Sequence, residues 1–306
     1  YGDWSSDVCS SDLTDNRSIT LEYDTFGNPN DPALLLIMGY TAQMVAWEPE
    51  FCQLFVDKGH FVIRFDNRDC GLSTKLDGVS VNVDEVIKAA LLEEPVPAVP
   101  YTLSDMAADA AKLLDHLNIE RAHILGASMG GMIAQTFAIE HPHRTHSLIS
   151  VMSTPGDPAV GQSTPEALTA LLSPPPSSRE DYIAASPNWQ TWQSKKYRSD
   201  ELSKRNAARD YDRMFYPEGA PRQLAAIYAS GNRSEHLAKL NIPTLVVHGT
   251  DDTLITPSGG ERTAELIPNA KFMLVEDMGH DLPRPLWPDF VAAVTALTSS
   301  VTPVRA

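Results

Sequence analysis

Residues 123–132 run from a short apolar strand (His123-Ile124-Leu125), through a G-x-S-x-G turn (Gly126-Ala127-Ser128-Met129-Gly130), into a helix rich in Ala, Ile and Met. A chain can make this passage only by a sharp strand-to-helix turn, with Gly126, Gly130 and Gly131 letting helix and strand approach closely. Such a turn pushes the Ser128 hydroxyl out of the sheet. It also leaves the Met129 amide at a helix N-terminus, where developing negative charge is stabilised.

The surrounding pattern fits that turn. Residues 18–24 alternate apolar and polar, as an antiparallel, edge-type strand does. Residues 33–38 are continuously apolar, the mark of a strand covered on both faces, and residues 60–65 read as another buried strand. Residues 122–125, 147–152, 243–248 and 270–275 add further apolar strands. Helices are predicted at 48–58, at 103–117 with Thr102 or Ser104 as N-cap, at 132–140, at 261–267 and at 286–298. Strands alternating with helices give an α/β fold with a mostly parallel, doubly wound sheet. The rhythm breaks between residues 154 and 239. There the chain holds Pro174-Pro175-Pro176 and helical stretches at 179–192, 201–215 and 221–229, which reads as an inserted helical cap.

A chain of 306 residues can bury one large core carrying such an insert. The expected division is residues 14–153 and 240–306 as the core and 154–239 as the cap. Residues 1–13 are polar and acidic, lack the basic and apolar regions of a secretory signal, and read as a non-native tail of translated adapter sequence. A cytoplasmic location follows, with the native start open. The formal charge of −16 argues against nucleic acid or an anionic membrane as partner. No apolar run approaches the roughly 18 residues that span a bilayer. The three cysteines, Cys9, Cys52 and Cys70, show no disulfide or C-x-x-C pattern. H-E-x-x-H, P-loop, G-x-G-x-x-G and S-x-x-K motifs do not occur. His141, His143 and His146 do not have the spacing of a metal site.

Two further segments bear on Ser128. Val247-His248-Gly249-Thr250-Asp251-Asp252 follows one apolar run, and Glu276-Asp277-Met278-Gly279-His280 follows the next. The order Ser, acid, His, each after a strand, suits nucleophilic chemistry in which a histidine takes the serine proton and a carboxylate orients the histidine. From spacing alone the acid is open among Asp251, Asp252, Asp277 and Asp281. The turn of residues 66–71 carries Asp66 and Arg68, and is expected to brace loops near the site through a carboxylate–guanidinium bond.

From about residue 19 to 294 the chain resembles the α/β-hydrolase fold serine esterases, in the branch containing aclacinomycin methylesterase and related bacterial carboxylesterases. The resemblance rests on Met38-Gly39-Tyr40 with Trp47, on Phe65-Asp66-Asn67-Arg68-Asp69-Cys70-Gly71-Leu72-Ser73, on Gly126-Ala127-Ser128-Met129-Gly130, on Asp252, and on Gly279-His280. Met38-Gly39 stands where the wider family often has His-Gly. The resemblance implies a carboxylesterase in which Ser128 is the nucleophile, His280 the base and then the acid, and Asp252 the orienting carboxylate. The Tyr40 and Met129 amides would form the oxyanion hole. It implies no cofactor and no metal. The expected partner is a small to medium neutral ester, and the oligomeric state is open. A C–C bond hydrolase, a lactonase or a perhydrolase would keep the same three residues, and a non-catalytic ligand-binding protein would keep only the fold. Aromatic and Met side chains of the cap (Tyr182, Trp189, Trp192, Tyr211, Met214, Phe215, Tyr216 and Tyr228) are candidates for its core and for a pocket wall.

Overall fold

The computed structural model describes residues 7–12 and 18–301, with the backbone alone for 7–12 and 18. Eight strands form one sheet: β1 (Asp7–Asp12), β2 (Ser18–Phe26), β3 (Ala33–Ile37), β4 (Phe61–Phe65), β5 (Ala122–Ala127), β6 (Thr145–Val151), β7 (Thr244–Gly249) and β8 (Lys271–Val275). Their spatial order is β1-β2-β4-β3-β5-β6-β7-β8. The pairs β1/β2 and β2/β4 are antiparallel, and all others are parallel. The strand expected at an edge, β2, is antiparallel but not outermost, because β1 lies beyond it. β1 falls within the residues set aside as a tail. The rest of that tail, and the Cys9 side chain, lie outside the described residues.

The parallel strands β3 to β7 are buried along their whole length, as their continuous apolar runs require. Helices cover both faces. On one face α3 (Leu103–His116) and α4 (Met129–Glu140) pack Met106, Leu113, Ile133 and Phe137 against Leu35, Ile63 and Ile124. On the other face α1 (Pro49–Val56) and α11 (Trp287–Ser300) bring Phe51, Phe55, Trp287 and Phe290 over Leu34, Val62 and Leu125. Thr102 is the N-cap of α3 and forms a capping box with Asp105, whose carboxylate accepts from the Thr102 amide at 2.7 Å. Ser104, the other candidate, instead bonds Glu140 at 2.8 Å.

β3 lies between β4 and β5, so the chain leaves β3 first to one side and later returns to the other. Open α/β sheets bind ligands at the carboxyl ends of the strands where the order reverses in this way. Ile37, the last residue of β3, pairs with Gly126 in β5, which places the Met38–Tyr40 loop beside Ser128.

Between β6 and β7 the chain forms α5 (Pro165–Leu172), α6 (Arg179–Ala185), α7 (Asp200–Arg213), α8 (Ala220–Ser230) and α9 (Ser234–Leu237), and α10 (Ser258–Leu266) joins β7 to β8. Another helix, α2 (Val83–Leu91), precedes α3 and buries Val86 and Ala89. Neither α2 nor α5 was predicted, although Asn82 and Thr164 cap them with side-chain bonds to the amides of Glu85 and Ala167. Among the described residues no helix is long and apolar enough to cross a membrane.

Arg68 does not pair with Asp66. It reaches Asp109 on α3, with Nε and a terminal nitrogen each 2.7 Å from a carboxylate oxygen, and the two side chains are 1% and 3% exposed. Removing one member of a buried pair strands the other charge in an apolar setting, which typically costs about 3–5 kcal/mol. Asp109→Ala is expected to destabilise the protein by that order in urea unfolding. Replacing both partners, Arg68→Met with Asp109→Leu, should recover most of the loss.

Candidate active site

The site begins with the backbone at Ser128, which has φ 58° and ψ −124°. A left-handed φ on a residue with a Cβ is strained and persists only where the surroundings enforce it. Here they do. A Cβ on Gly126 would lie 1.9 Å from the Gly130 carbonyl oxygen, and one on Gly130 would lie 2.1 Å from the Ile37 oxygen. Helix and sheet are therefore as close as bare backbone allows. The Ser128 amide also donates to Val151 O at 2.9 Å, and its carbonyl accepts from the Ser153 hydroxyl at 2.9 Å.

Three side chains from the ends of β5, β7 and β8 meet. His280 Nε2 is 2.8 Å from Ser128 Oγ, and His280 Nδ1 is 2.8 Å from Asp252 Oδ2. Asp252 is 3% exposed. Its Oδ1 accepts from the amides of Leu254 and Ile255, each at 2.9 Å. Burial alone would raise the Asp252 carboxyl, but the charge of His280 and hydrogen bonds from His248 and His280 outweigh it and hold the group down to about 2. An ionised carboxylate at Nδ1 fixes the imidazole so that Nε2 can accept the serine proton.

His248 was missed as a site residue, although it stands in the quoted run before Asp252. It is fully buried, with Nε2 2.7 Å from Ile255 O and 3.3 Å from Asp252 Oδ2. A carbonyl only accepts, so this nitrogen carries the proton and braces the acid loop from below. A histidine four positions before an acid, at the end of a buried strand, was the available signal.

The other candidate acids all face the insert rather than His280. Asp251 accepts from the Lys195 amide at 3.0 Å, Asp277 pairs with Lys196 at 2.5 Å, and Asp281 Oδ1 accepts from the amides of Ser194 at 3.0 Å and Gly279 at 3.2 Å. The His280 amide donates to Trp192 O at 2.6 Å, and the Thr253 hydroxyl to Thr191 O at 2.9 Å. Residues 191–196 are thus stitched to the loops of both Asp252 and His280.

On the other side of Ser128 runs the loop after β3. Gly39 packs against Ser128: a Cβ added at Gly39 would lie 2.9 Å from the serine Cβ. Among the described residues neither the Tyr40 nor the Met129 amide donates to a protein acceptor. Two unpaired N–H groups beside a serine hydroxyl can hold an oxyanion. The turn of residues 66–69 supports this loop, as expected of it, but through partners far away in sequence. Asp66 accepts from the Met44 amide at 2.7 Å and from Arg213 of α7 at 2.7 Å, and Asn67 donates to Met38 O at 2.8 Å. Asp69 takes a bidentate bond from Arg222 of α8, both arms at 2.8 Å.

A cavity of about 530 Å³ opens over Ser128 and His280. Its floor includes Met38, Met152 and Trp287. Its walls include Tyr182, Trp189, Trp192, Tyr211, Met214, Phe215 and Tyr216 from the insert; Tyr228 does not line it. Burial pushes the Tyr40 and Tyr182 hydroxyls up to about 12, so both are neutral. His141, His143 and His146 lie around the start of β6, at the opposite end of the sheet from Ser128, and the His146 ring packs on His123 at 5.2 Å. Cys52 and Cys70 are buried, unbridged thiols.

An open, mostly parallel sheet with a strand–serine–helix turn at its carboxyl edge defines the class of α/β hydrolases. The chain belongs to the alpha/beta hydrolase fold family, whose pattern matches residues 32–283. It is 26% identical over 314 residues to rhodomycin D methylesterase DnrP of Streptomyces peucetius, covering 94% of this chain and 97% of that protein. Among solved structures it is similar to an esterase from a Rhodococcus species (TM-score 0.72, 21% identity, 96% of this chain and 99% of that one). An enol-lactonase from Burkholderia xenovorans is also similar (TM-score 0.70, 22% identity, 95% and 99%). At these identities the structures share the fold.

Asp281 gives the site a pH signature. Burial raises its carboxyl to about 6, against the two amide bonds that favour ionisation. The native state therefore holds a proton that the unfolded chain releases, and its contribution to stability falls as pH rises through roughly 4 to 6. Asp281→Asn should lack that decline. Urea melts of both proteins across this range check it, with the stability difference between them constant above the window.

Proposed function

We propose that the protein is a serine carboxylic-ester hydrolase acting on small to medium neutral esters. The observation that carries this reading is the continuous relay Asp252, His280, Ser128, with both contacts at 2.8 Å, at the bottom of an aromatic-walled cavity. Ser128 Oγ attacks the ester carbonyl carbon while His280 Nε2 takes its proton. The carbonyl electron pair moves onto oxygen, and the oxyanion sits against the Tyr40 and Met129 amides. Collapse expels the alcohol, which takes the proton from His280, and leaves an acyl-serine. A water deprotonated by His280 then attacks the acyl carbon, and a second collapse frees the acid and restores Ser128. Residues 154–239 act in this reading as a cap, and the remainder of the fold as the core that holds the three residues.

The similarity to a methylesterase supports an ester over a C–C bond or a peroxide as the substrate feature. The net charge of −16 supports neutral rather than anionic acyl groups, through long-range repulsion. A cavity of about 530 Å³ suits a compact ester held within the protein.

Activity on a series of p-nitrophenyl esters tests the reading. Ser128→Ala should lower kcat by about 10⁴-fold or more with an unchanged circular dichroism spectrum. Short- and medium-chain esters should be cleaved faster than long-chain ones. A kcat/KM that peaks at long chains, and only at an oil–water interface, would overturn the substrate class. For the acid, Asp252→Asn should cost orders of magnitude in kcat, whereas Asp251→Asn should cost far less. The opposite ranking would move the orienting role by one residue.

A further inference from the structure

We infer that Gln223, on helix α8 of the insert, is a positioning residue for the oxyanion site: it fixes the Tyr40 amide by anchoring the next residue, Thr41. This rests on the reading of Tyr40 as an oxyanion donor.

Gln223 is fully buried (0% exposed) and uses both ends of its amide. Its oxygen accepts from the Thr41 amide at 2.8 Å, and its nitrogen donates to the Arg68 carbonyl at 2.9 Å. The chain at Thr41 needs such an anchor. Gly39 O accepts from the Ala42 amide at 3.3 Å, closing a four-residue turn with Tyr40 and Thr41 at its centre. Thr41 takes φ 56° in that turn, a conformation that glycine adopts readily and a β-branched residue does not. A threonine held in that conformation relaxes unless something anchors it.

Side chains hold the loop's backbone at three positions spaced three residues apart, and the Cys70 thiol adds a second contact at Thr41, donating to its carbonyl at 3.4 Å. Asn67 takes the Met38 carbonyl at 2.8 Å, Gln223 the Thr41 amide, and Asp66 the Met44 amide at 2.7 Å. Two of them come from the core turn next to the sheet. Gln223 comes from the insert, 182 positions away in sequence, and among the described residues it is the insert side chain that bonds the loop's backbone; the insert's other bonds there go to the Gln43 side chain. Gln223 also anchors the residue next to Tyr40. The insert therefore does more than wall the cavity: it sets where one oxyanion donor points. An oxyanion donor acts on the charge that develops in the transition state, so displacing it lowers kcat and leaves ground-state binding nearly untouched.

The test compares Gln223→Met, which fills the same space without an acceptor, with wild type on a short neutral p-nitrophenyl ester. The expected result is a fall in kcat of about 10- to 100-fold, short of the loss of a whole donor, with KM within about 3-fold and the pH profile unchanged. Inhibition by an aryl trifluoromethyl ketone, whose adduct with Ser128 places an oxyanion in the same position, should weaken in parallel with kcat. Thr41→Gly removes the conformational strain, so combining it with Gln223→Met should recover part of the lost kcat. If Gln223→Met fails to fold, Gln223→Asn draws the same amide back by one methylene and carries the same expectation. An unchanged kcat, a rise in KM alone, or additive effects in the double variant would overturn the inference. Ser128→Ala is run alongside: if it remains active, the esterase reading itself falls, whereas a dead Ser128→Ala beside an unaffected Gln223→Met removes only the role of Gln223.

Discussion

The contact between helix α4 and the sheet is the constraint from which the site follows. The two backbones meet where Gly126 faces the Gly130 carbonyl and Gly130 faces Ile37, with room for hydrogen atoms and nothing larger. That contact forces the chain to turn within one residue, and the turn forces Ser128 into a left-handed conformation. The serine hydroxyl then reaches His280 Nε2, and the first amide of α4 follows it directly in the chain. Position and electrostatics thus come from the same packing event.

The chemistry also needs parts that the turn cannot supply, and these are held by ionic and amide contacts. Arg68, Arg213 and Arg222 each meet a carboxylate: Asp109 on α3, and Asp66 and Asp69 in the turn after β4. The same four-residue segment, 66–69, thus joins the sheet, α3 and two helices of the insert. Arg222 and Asp69 form one of these joints with almost no solvent contact, their side chains being 6% and 0% exposed. Buried pairs of this kind add little net stability, but they penalise every arrangement in which the partners are separated. They act on geometry more than on the free energy of folding.

Much of this was legible in the sequence because it is local. The buried strands announce themselves as apolar runs, and the capping box at Thr102 and Asp105 lies within four residues. Ser128, Asp252 and His280 each follow such a run, so their shared edge of the sheet could be inferred from strand direction alone. Which aspartate meets His280 could not, because Asp251, Asp252, Asp277 and Asp281 sit within two loops, and only the paths of those loops separate them. Helices α2 and α5 had legible caps, but their apolar faces are short: α5 buries only Ala167. The partners of Asp66 and Asp69 were hidden for a different reason. Arg213 and Arg222 lie about 150 positions downstream. No pattern within one chain segment encodes a contact of that span. The last strand, β8, reads as apolar yet leaves Phe272 and Leu274 partly exposed, since an outer strand has no neighbour on one side.

The stitching of residues 191–196 to the loops of Asp252 and His280 bears on how molecules enter and leave. A wall tied at five points to the loops of Asp252 and His280 cannot swing aside without pulling His280 out of line with Ser128. The cavity wall at α6 is held differently: Tyr182 sits on a helix that pairs with α7 through Arg179 and Asp212, whereas α5 is itself joined to the Asp252 loop by the Thr164 amide, which donates to Thr253 O at 2.9 Å. The cavity thus has one jaw tied to the loops of Asp252 and His280 and another, at α6, tied to α7. A change of shape at α6 reaches His280 and Ser128 through the rest of the insert, so it is the part of the wall that can vary with least effect on their register.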